Sequence, residues 1–198
     1  MNNILIKVCY AMCGVVLTTC NMSAGILTGP IINPANGHLY YLLSQSSWTV
    51  SEAEAMTFGG HLTTIDDQTE NDWVFNNFSS FGGTPRCLWI GLTDNVQEGL
   101  FTWSSNDLVS YTHWQTPSQP DNASGIVEED YVHLLPPGHY DAGNWNDFQN
   151  LNSVFFADVP MLGQVPMNGV VEVVPEPTVT WQLVVGIYLA SRMQRIRK

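Results

Sequence analysis

The chain has 198 residues, enough for one ordinary domain, and with 44% hydrophobic and 12% charged residues it can build a core. Its formal net charge is −12, and the segment 52–176 holds all 18 acidic residues but only one basic residue, Arg86. Because nucleic acids and anionic lipid surfaces are bound through Lys and Arg, this distribution excludes nucleic acid as a partner and disfavours such membranes. It suits hard cations held by carboxylates.

The first residues have the layout of a secretory signal peptide. Lys7 precedes an apolar stretch over residues 8–17, and small and polar residues follow it. We therefore predict a signal peptide over residues 1–24 and a secreted protein. A lipoprotein signal ending at Cys20 is the alternative, but the residues before this cysteine are bulkier than that signal prefers.

The middle of the chain alternates strand and helix patterns, which predicts an α+β fold. Strands are predicted at 38–44, 61–65, 88–92, 101–103, 131–134 and 169–173, and helices at 51–58 and 68–78. The first helix should begin at the capping-box pattern of residues 51–54 and end at Gly59-Gly60, and the second should begin at Asp67. Residues 104–129 show little periodicity and are expected to form an ordered functional loop. Residues 150–168 show no clear pattern and are interpreted as an insertion.

The last residues, 174–198, combine three features in a fixed order. The sequence Val174-Pro175-Glu176-Pro177 is followed by an apolar run over 179–190 and then by four basic residues. This order resembles the PEP-CTERM sorting signal of exopolysaccharide-producing Gram-negative bacteria. The resemblance implies that an exosortase processes the tail at the cell envelope and that only this transient segment contacts the membrane. A plain anchor helix is the alternative, although twelve apolar residues fall short of the ~20 that span a bilayer.

Five short pieces, in one order, carry a second resemblance. They are Gly59-Gly60-His61-Leu62 with Glu70-Asn71, Trp89-Ile90-Gly91-Leu92 with Glu98-Gly99 and Trp103, Gln119-Pro120-Asp121, Glu129-Asp130-Tyr131, and Trp145-Asn146-Asp147. Together these pieces resemble a C-type lectin-like domain over residues 37–173. The resemblance implies an α+β fold with two helices, small antiparallel sheets and a long loop that holds calcium.

The two disulfides that are usual in that family are absent from this sequence. Its four cysteine positions correspond here to Ala55, Tyr131, Asn150 and Val171. Three of the four cysteines lie in or beside the predicted signal peptide, and Cys87, in an apolar run, is interpreted as a small buried hydrophobic residue. Because each lost bridge removes about 2–4 kcal/mol of stability, packing by tryptophans and a bound metal are expected to compensate.

The resemblance also implies a calcium site that doubles as the carbohydrate site. The family's ligand positions are filled by oxygen-bearing side chains, namely Gln119, Asp121, Glu129, Asn146 and Asp147. Calcium takes six to eight oxygen ligands, and in the family two vicinal hydroxyls of a sugar complete them. The family's proline between the first two ligands is cis. A second, auxiliary site is predicted at Asp94, Glu98 and Asp130, with Asn122 in place of an expected aspartate; a solvated acidic face is its alternative.

The order Gln-Pro-Asp resembles that of family members that bind galactose or N-acetylgalactosamine. Strong galactose binders add a tryptophan shortly after the motif, which stacks on the apolar face of the sugar. Here Asn122-Ala123-Ser124 follows, without an aromatic residue. The sequence therefore predicts only a weak preference for sugars of the galactose type.

We predict a secreted, calcium-dependent carbohydrate-binding lectin, associated with the cell envelope or exopolysaccharide of a Gram-negative bacterium, and not an enzyme. The alternative is a structural or protein-binding surface domain in which calcium only replaces the missing disulfides. A glycoside hydrolase with Glu129 or Asp147 as acid or base is a third class. It is disfavoured because these carboxylates are assigned to the metal.

Overall fold

A computed structural model describes residues 24–122 and 128–176, so nearly all of the predicted signal peptide and most of the predicted sorting tail lie outside the described residues. The helices are α1 (Trp48–Thr57) and α2 (Gln68–Phe78). The strands are β1 (Ile26–Ile32), β2 (Leu39–Gln45), β3 (His61–Leu62), β4 (Cys87–Thr93), β5 (Thr102–Trp103), β6 (Tyr131–Leu134), β7 (Trp145–Phe148), β8 (Ser153–Phe155) and β9 (Gln164–Val173). The predicted α+β class is confirmed. Within the described ranges, no helix has the length and apolar character needed to cross a bilayer.

Strand β9 is the centre of the sheet. The strand order is β1-β2-β9-β4-β6-β7, and β3 and β8 also pair with β9, while β5 pairs with β4. The pairs are antiparallel except for β4 with β9, which run parallel with Trp89 opposite Gly169. The order β4-β6-β7 places β7 at one edge of the sheet. Through Trp145, this strand is hydrogen-bonded to the long loop.

The predicted start is confirmed for one helix and wrong for the other. Helix α2 begins where predicted, because the Asp67 side chain accepts a hydrogen bond from the Glu70 backbone N–H at 2.8 Å. The predicted start of α1 at Ser51 is wrong: the helix begins at Trp48, and Ser51 is buried inside it. Tertiary contacts explain the earlier start, since the Trp48 indole N–H donates to the backbone oxygen of Ile90 at 2.7 Å.

The predicted stop of α1 at Gly59-Gly60 is confirmed, and the two glycines have different roles. Gly59 has φ of 76°, a left-handed conformation that glycine adopts without strain. At Gly60 a Cβ would lie 2.0 Å from the backbone oxygen of Glu172 on β9. The close approach lets the chain turn directly from the helix into β3, which is shorter than the predicted strand at 61–65.

Packing takes the place of disulfides in this core. Ala55 and Val171, at two of the family's cysteine positions, are fully buried in one apolar cluster. Trp89, Trp103 and Trp145 are buried as well, and Trp114 packs against the cluster that contains Trp145. The predicted burial of Cys87 is confirmed, and burial raises the pKa of its thiol. The described residues contain no disulfide.

The buried Glu70 and the partly buried Glu172 meet on one tyrosine hydroxyl. The Tyr40 hydroxyl lies 2.5 Å from Glu70 Oε1 and 2.9 Å from Glu172 Oε1, and it accepts a hydrogen bond from the Asn36 amide. One hydroxyl proton cannot serve both carboxylates at once. His38 Nδ1 lies 2.6 Å from Glu172 Oε1, so Glu172 has a second partner. Burial is the main reason why the pKa of Glu70 is raised.

This raised pKa predicts how stability depends on pH. Between about pH 4.5, the ordinary pKa of a glutamate, and the raised value, the folded protein keeps a proton on Glu70 that the unfolded chain releases. The free energy of unfolding therefore falls as the pH rises through this window. A Glu70→Gln variant should lack this fall, because an amide does not titrate in this range. Urea unfolding in EDTA at several pH values measures it.

The matched control is Asp72→Asn, which changes an exposed carboxylate on the same helix. Its stability profile should run parallel to that of the wild type. Equal pH dependence in the wild type and Glu70→Gln would contradict a proton held at Glu70.

Candidate functional site

The long loop is anchored to the sheet through Trp145. The Trp145 backbone N–H donates to His113 O at 2.8 Å, and the Gln115 N–H donates to Trp145 O at 2.9 Å. From there the Gln119 N–H donates to Gln115 O at 2.9 Å, and the peptide bond between Gln119 and Pro120 is cis. The predicted ordered loop is thus held in place, in its described part, by backbone bonds that include an isolated parallel bridge between Trp114 and Trp145.

Strand β7 supplies the other half of the site. Asn146 pairs with His133 and Asp147 with Val132 on β6. Successive side chains of a strand point to opposite faces, so Asn146 and Asp147 reach different sides of the loop. Asn146 lines a cavity, whereas Asp147 is only 2% exposed and accepts backbone bonds from Asp121 and Asn122, both near 3.0 Å.

The predicted primary ligands converge. Carboxylate oxygens of Asp121, Glu129 and Asp147 all lie within 4.8 Å of one another. Gln119 and Asn146 line the same cavity, of about 340 Å³, as Asp121 and Glu129. Gln119 Oε1 is buried and has no hydrogen-bond partner among the residues that the structure describes. These oxygen atoms could hold a metal ion.

The electrostatics of this group favour a cation. Burial raises the pKa of Asp147, partly opposed by the backbone bond from Asn122, and the charge of Asp121 adds to the rise. The nearby His133 is fully buried, and burial lowers its pKa to about 4, so this residue is neutral at pH 7. The Asn146 amide nitrogen lies 3.4 Å from His133 Nε2 and donates to Asp147 O at 2.6 Å. Its side-chain oxygen is therefore the atom with which Asn146 can bind a cation.

The predicted auxiliary ligands also converge. Oxygens of Asp94, Glu98 and Asp130 lie within 4.8 Å of one another. Asp94 is 3% exposed; its Oδ2 accepts from the Gly99 N–H at 2.8 Å, while Oδ1 has no partner within the described part of the chain. Burial raises the pKa of Asp130 and of Glu98, and the Asp94 charge adds to both. Glu128, which the sequence analysis missed, adds a further negative charge beside Glu98.

Asn122 links two members of the first carboxylate group. Its backbone N–H donates to Asp147. Its side-chain oxygen accepts from the Glu129 N–H at 2.9 Å, and its side-chain nitrogen donates at 2.9 Å to Glu128, whose charge lies beside Glu98 of the second group. From the sequence, Asn122 was identified only as a residue in place of an expected aspartate. Its φ of 45° and its bonds give it a positioning role in the first group.

Residues 44–153 match the sequence model of the lectin C-type domain. This chain belongs to the C-type lectin domain family. It is 34% identical over 119 residues to C-type mannose receptor 2 of Rattus norvegicus. This alignment covers 60% of this chain but only 7% of the receptor. It is 30% identical to lectin BRA-3 of Megabalanus rosa over 66% of this chain and 76% of that protein.

Solved structures agree with the family assignment. The C-type lectin CEL-I from Cucumaria echinata has a TM-score of 0.56 and 25% identity, covering 70% of this chain and 91% of that chain. A calcium-independent type II antifreeze protein, at a TM-score of 0.52 and 15% identity over 75% and 95% of the two chains, shows the fold alone. The predicted C-type lectin-like fold is therefore confirmed. The sorting signal stays a prediction.

Substituting Asp147 tests whether the C-type lectin domain holds a metal at the first group. Asp147→Asn keeps the size of the side chain and an oxygen that accepts the backbone bonds, but removes one negative charge. We expect calcium affinity, measured by isothermal titration calorimetry, to fall by about tenfold or more. Because the pKa of Asp147 is raised, affinity in the wild type should also fall as the pH drops into the acid range.

Asp107→Asn, a change of an exposed carboxylate outside both groups, is the control and should bind calcium like the wild type. Wild-type calcium affinity in Asp147→Asn would contradict the assignment of Asp147 as a ligand. Affinity that stays constant down to about pH 4 would count against coordination by carboxylates.

Proposed function

We propose that this domain is a calcium-dependent carbohydrate-binding module with a preference for galactose-type sugars. The proposal is supported above all by one observation: Gln119, Asp121, Glu129 and Asn146 share a cavity beside a three-carboxylate group. The family is generally non-enzymatic, and the proposed activity is binding without turnover.

The donor set supports calcium as the cation. Asp121, Glu129 and Asp147 carry three negative charges, and Arg86, the only Lys or Arg in the described segments, is buried and donates to the backbone oxygen of Phe81. A cation is needed to offset these charges. All proposed ligand atoms are oxygens, and with two amides beside three carboxylates the set suits a hard ion with a large coordination number. The same reasoning applies to Asp94, Glu98 and Asp130 as the auxiliary site.

The side chains around the cavity support recognition of a sugar. When bound, calcium supplies coordination positions for two neighbouring hydroxyls of a sugar. Gln119 can donate a hydrogen bond to a sugar hydroxyl through its amide nitrogen, whereas Asp121 only accepts. This order of amide and acid is the basis for the proposed preference for galactose or N-acetylgalactosamine. Several similar structures are named carbohydrate-recognition domains, and that of cow CD23 was solved in the presence of a GlcNAc2Man3 oligosaccharide.

A glycan array run with calcium and again with EDTA tests this proposal. The wild-type domain should bind galactose-type glycans with calcium and lose them in EDTA. The double variant Gln119→Glu with Asp121→Asn exchanges the acid and the amide, and it should shift binding toward mannose-type glycans while retaining calcium. A variant that binds calcium but keeps the wild-type glycan preference would contradict the proposed role of these two side chains.

The second candidate is a structural or protein-binding surface domain in which calcium only stabilises the loop. One observation favours it: Asn122 is bonded to Asp147 and to the Glu129 backbone, so a cation at the first group would brace two segments of the loop region in a domain whose described residues contain no disulfide. No glycan signal, together with a melting temperature that still rises with calcium, would select this function.

We further propose that the protein is secreted by a Gram-negative bacterium and sorted by an exosortase to the envelope or its exopolysaccharide. The order of features in residues 174–198 supports this proposal. Intact-mass analysis of envelope fractions should find a mature protein without residues 1–24 and without the basic end, 192–198. Detection of an intact basic end would contradict processing at the tail.

A further inference from the structure

The cavity at the proposed calcium ligands extends beyond them to an aromatic wall. The cavity is also lined by Tyr140, Phe155 and Phe156. Tyr140 is 68% exposed and Phe155 is 63% exposed, although both are large apolar rings in an otherwise acidic protein. We define this pair, Tyr140 and Phe155, as the aromatic wall. Neither residue belongs to the motifs that carry the family resemblance.

Both rings are held by ordered structure. Phe155 is the last residue of β8 and pairs with Gln164 on β9, so the sheet fixes its backbone. The Tyr140 ring packs on His139 with ring centres 4.2 Å apart, and its hydroxyl accepts from Gln115 at 3.3 Å. Gln115 is also bonded to the backbone of Trp145, which places the wall and the proposed ligands on one frame. Such preorganisation lowers the entropic cost of binding.

The chemistry of the cavity matches a neutral sugar. A pyranose ring presents a face of C–H groups, which an exposed aromatic ring covers, and a rim of hydroxyls, which polar side chains bind. Ser118 and Asp158 supply such polar groups in the same cavity. Asp158 lines the cavity together with Tyr140 and Phe155, and no Lys or Arg lines it, so the side chains of the cavity offer an anionic sugar no positive charge.

We propose that the aromatic wall is a second subsite for a neutral sugar residue linked to the one at the calcium ligands. The ligand is then a neutral oligosaccharide or polysaccharide chain rather than a single sugar, an extension that depends on the proposed carbohydrate function. The cavity volume of about 340 Å³ falls in the range of small-ligand sites. The wall supplies the stacking surface that is missing after Gln119-Pro120-Asp121, from a different segment of the chain.

Titration calorimetry with galactose, galactobiose and galactotriose, and with the corresponding mannose series, tests the second subsite. In calcium, the wild type should bind the disaccharide and trisaccharide about threefold to tenfold more tightly than the monosaccharide. Phe155→Ser should lose this gain, and Phe155→Tyr should keep it. Because Phe155 is largely exposed, its replacement should leave folding, calcium affinity and monosaccharide affinity unchanged.

Met161→Ser is the matched control. Met161 is 99% exposed in the same segment between β8 and β9 but does not line the cavity, so its replacement should leave all affinities at wild-type values. The same titrations with galacturonic acid oligomers should show weaker binding than with the neutral sugars.

The outcomes separate this proposal from the one on which it depends. Calcium-dependent monosaccharide binding without any gain for longer chains would overturn the second subsite and leave the lectin proposal standing. A gain that survives Phe155→Ser, or oligosaccharide binding that persists in EDTA, would also overturn it. If the wild type binds none of these sugars, both proposals fall.

Discussion

The anchoring of the long loop on Trp145 is the interaction on which the rest of the site depends. Trp145 is fully buried, its indole N–H donates to Asn71 on α2 at 2.7 Å, and its backbone bonds to residues 113 and 115. One residue therefore joins the helix, the sheet edge and the loop. Without it, Gln119 and Asn146, which are 27 positions apart in sequence, would have no common frame. A side chain fixed in this way also explains why packing can replace disulfides in this domain.

Most of the fold could be predicted where local chemistry agrees with the tertiary structure. Helix α2 begins at the predicted Asp67 because the capping bond needs only residues three positions apart. Strand β1 was not predicted, because its burial pattern is mostly exposed and it depends on pairing with β2. The start of α1 was misplaced because Trp48 is fixed by distant contacts that the capping pattern of residues 51–54 does not reveal.

For the candidate site, the sequence indicated the ligand residues more reliably than the backbone elements that position them. Three of the five predicted primary ligands, Asp121, Glu129 and Asp147, have carboxylate oxygens within 4.8 Å of one another, and Gln119 and Asn146 line a cavity with two of them. The strand that carries Asn146 and Asp147 was not predicted, since four residues give too little alternation to recognise. Glu128 and Phe155 were missed because neither belongs to a motif: Glu128 directly precedes one, whereas only folding brings Phe155 to the site.

Asn122 joins two segments of the chain at the first carboxylate group. It is bonded to Asp147 and to the Glu129 backbone within that group, and its side-chain nitrogen donates to Glu128, whose charge lies beside Glu98 of the second group. The two groups are therefore neighbours through one asparagine and one glutamate. With calcium at both proposed sites, proton and ion uptake would follow apparent constants that belong to the pair rather than to either group alone. A cation at one site would then change the affinity of the other, and by the same factor in both directions.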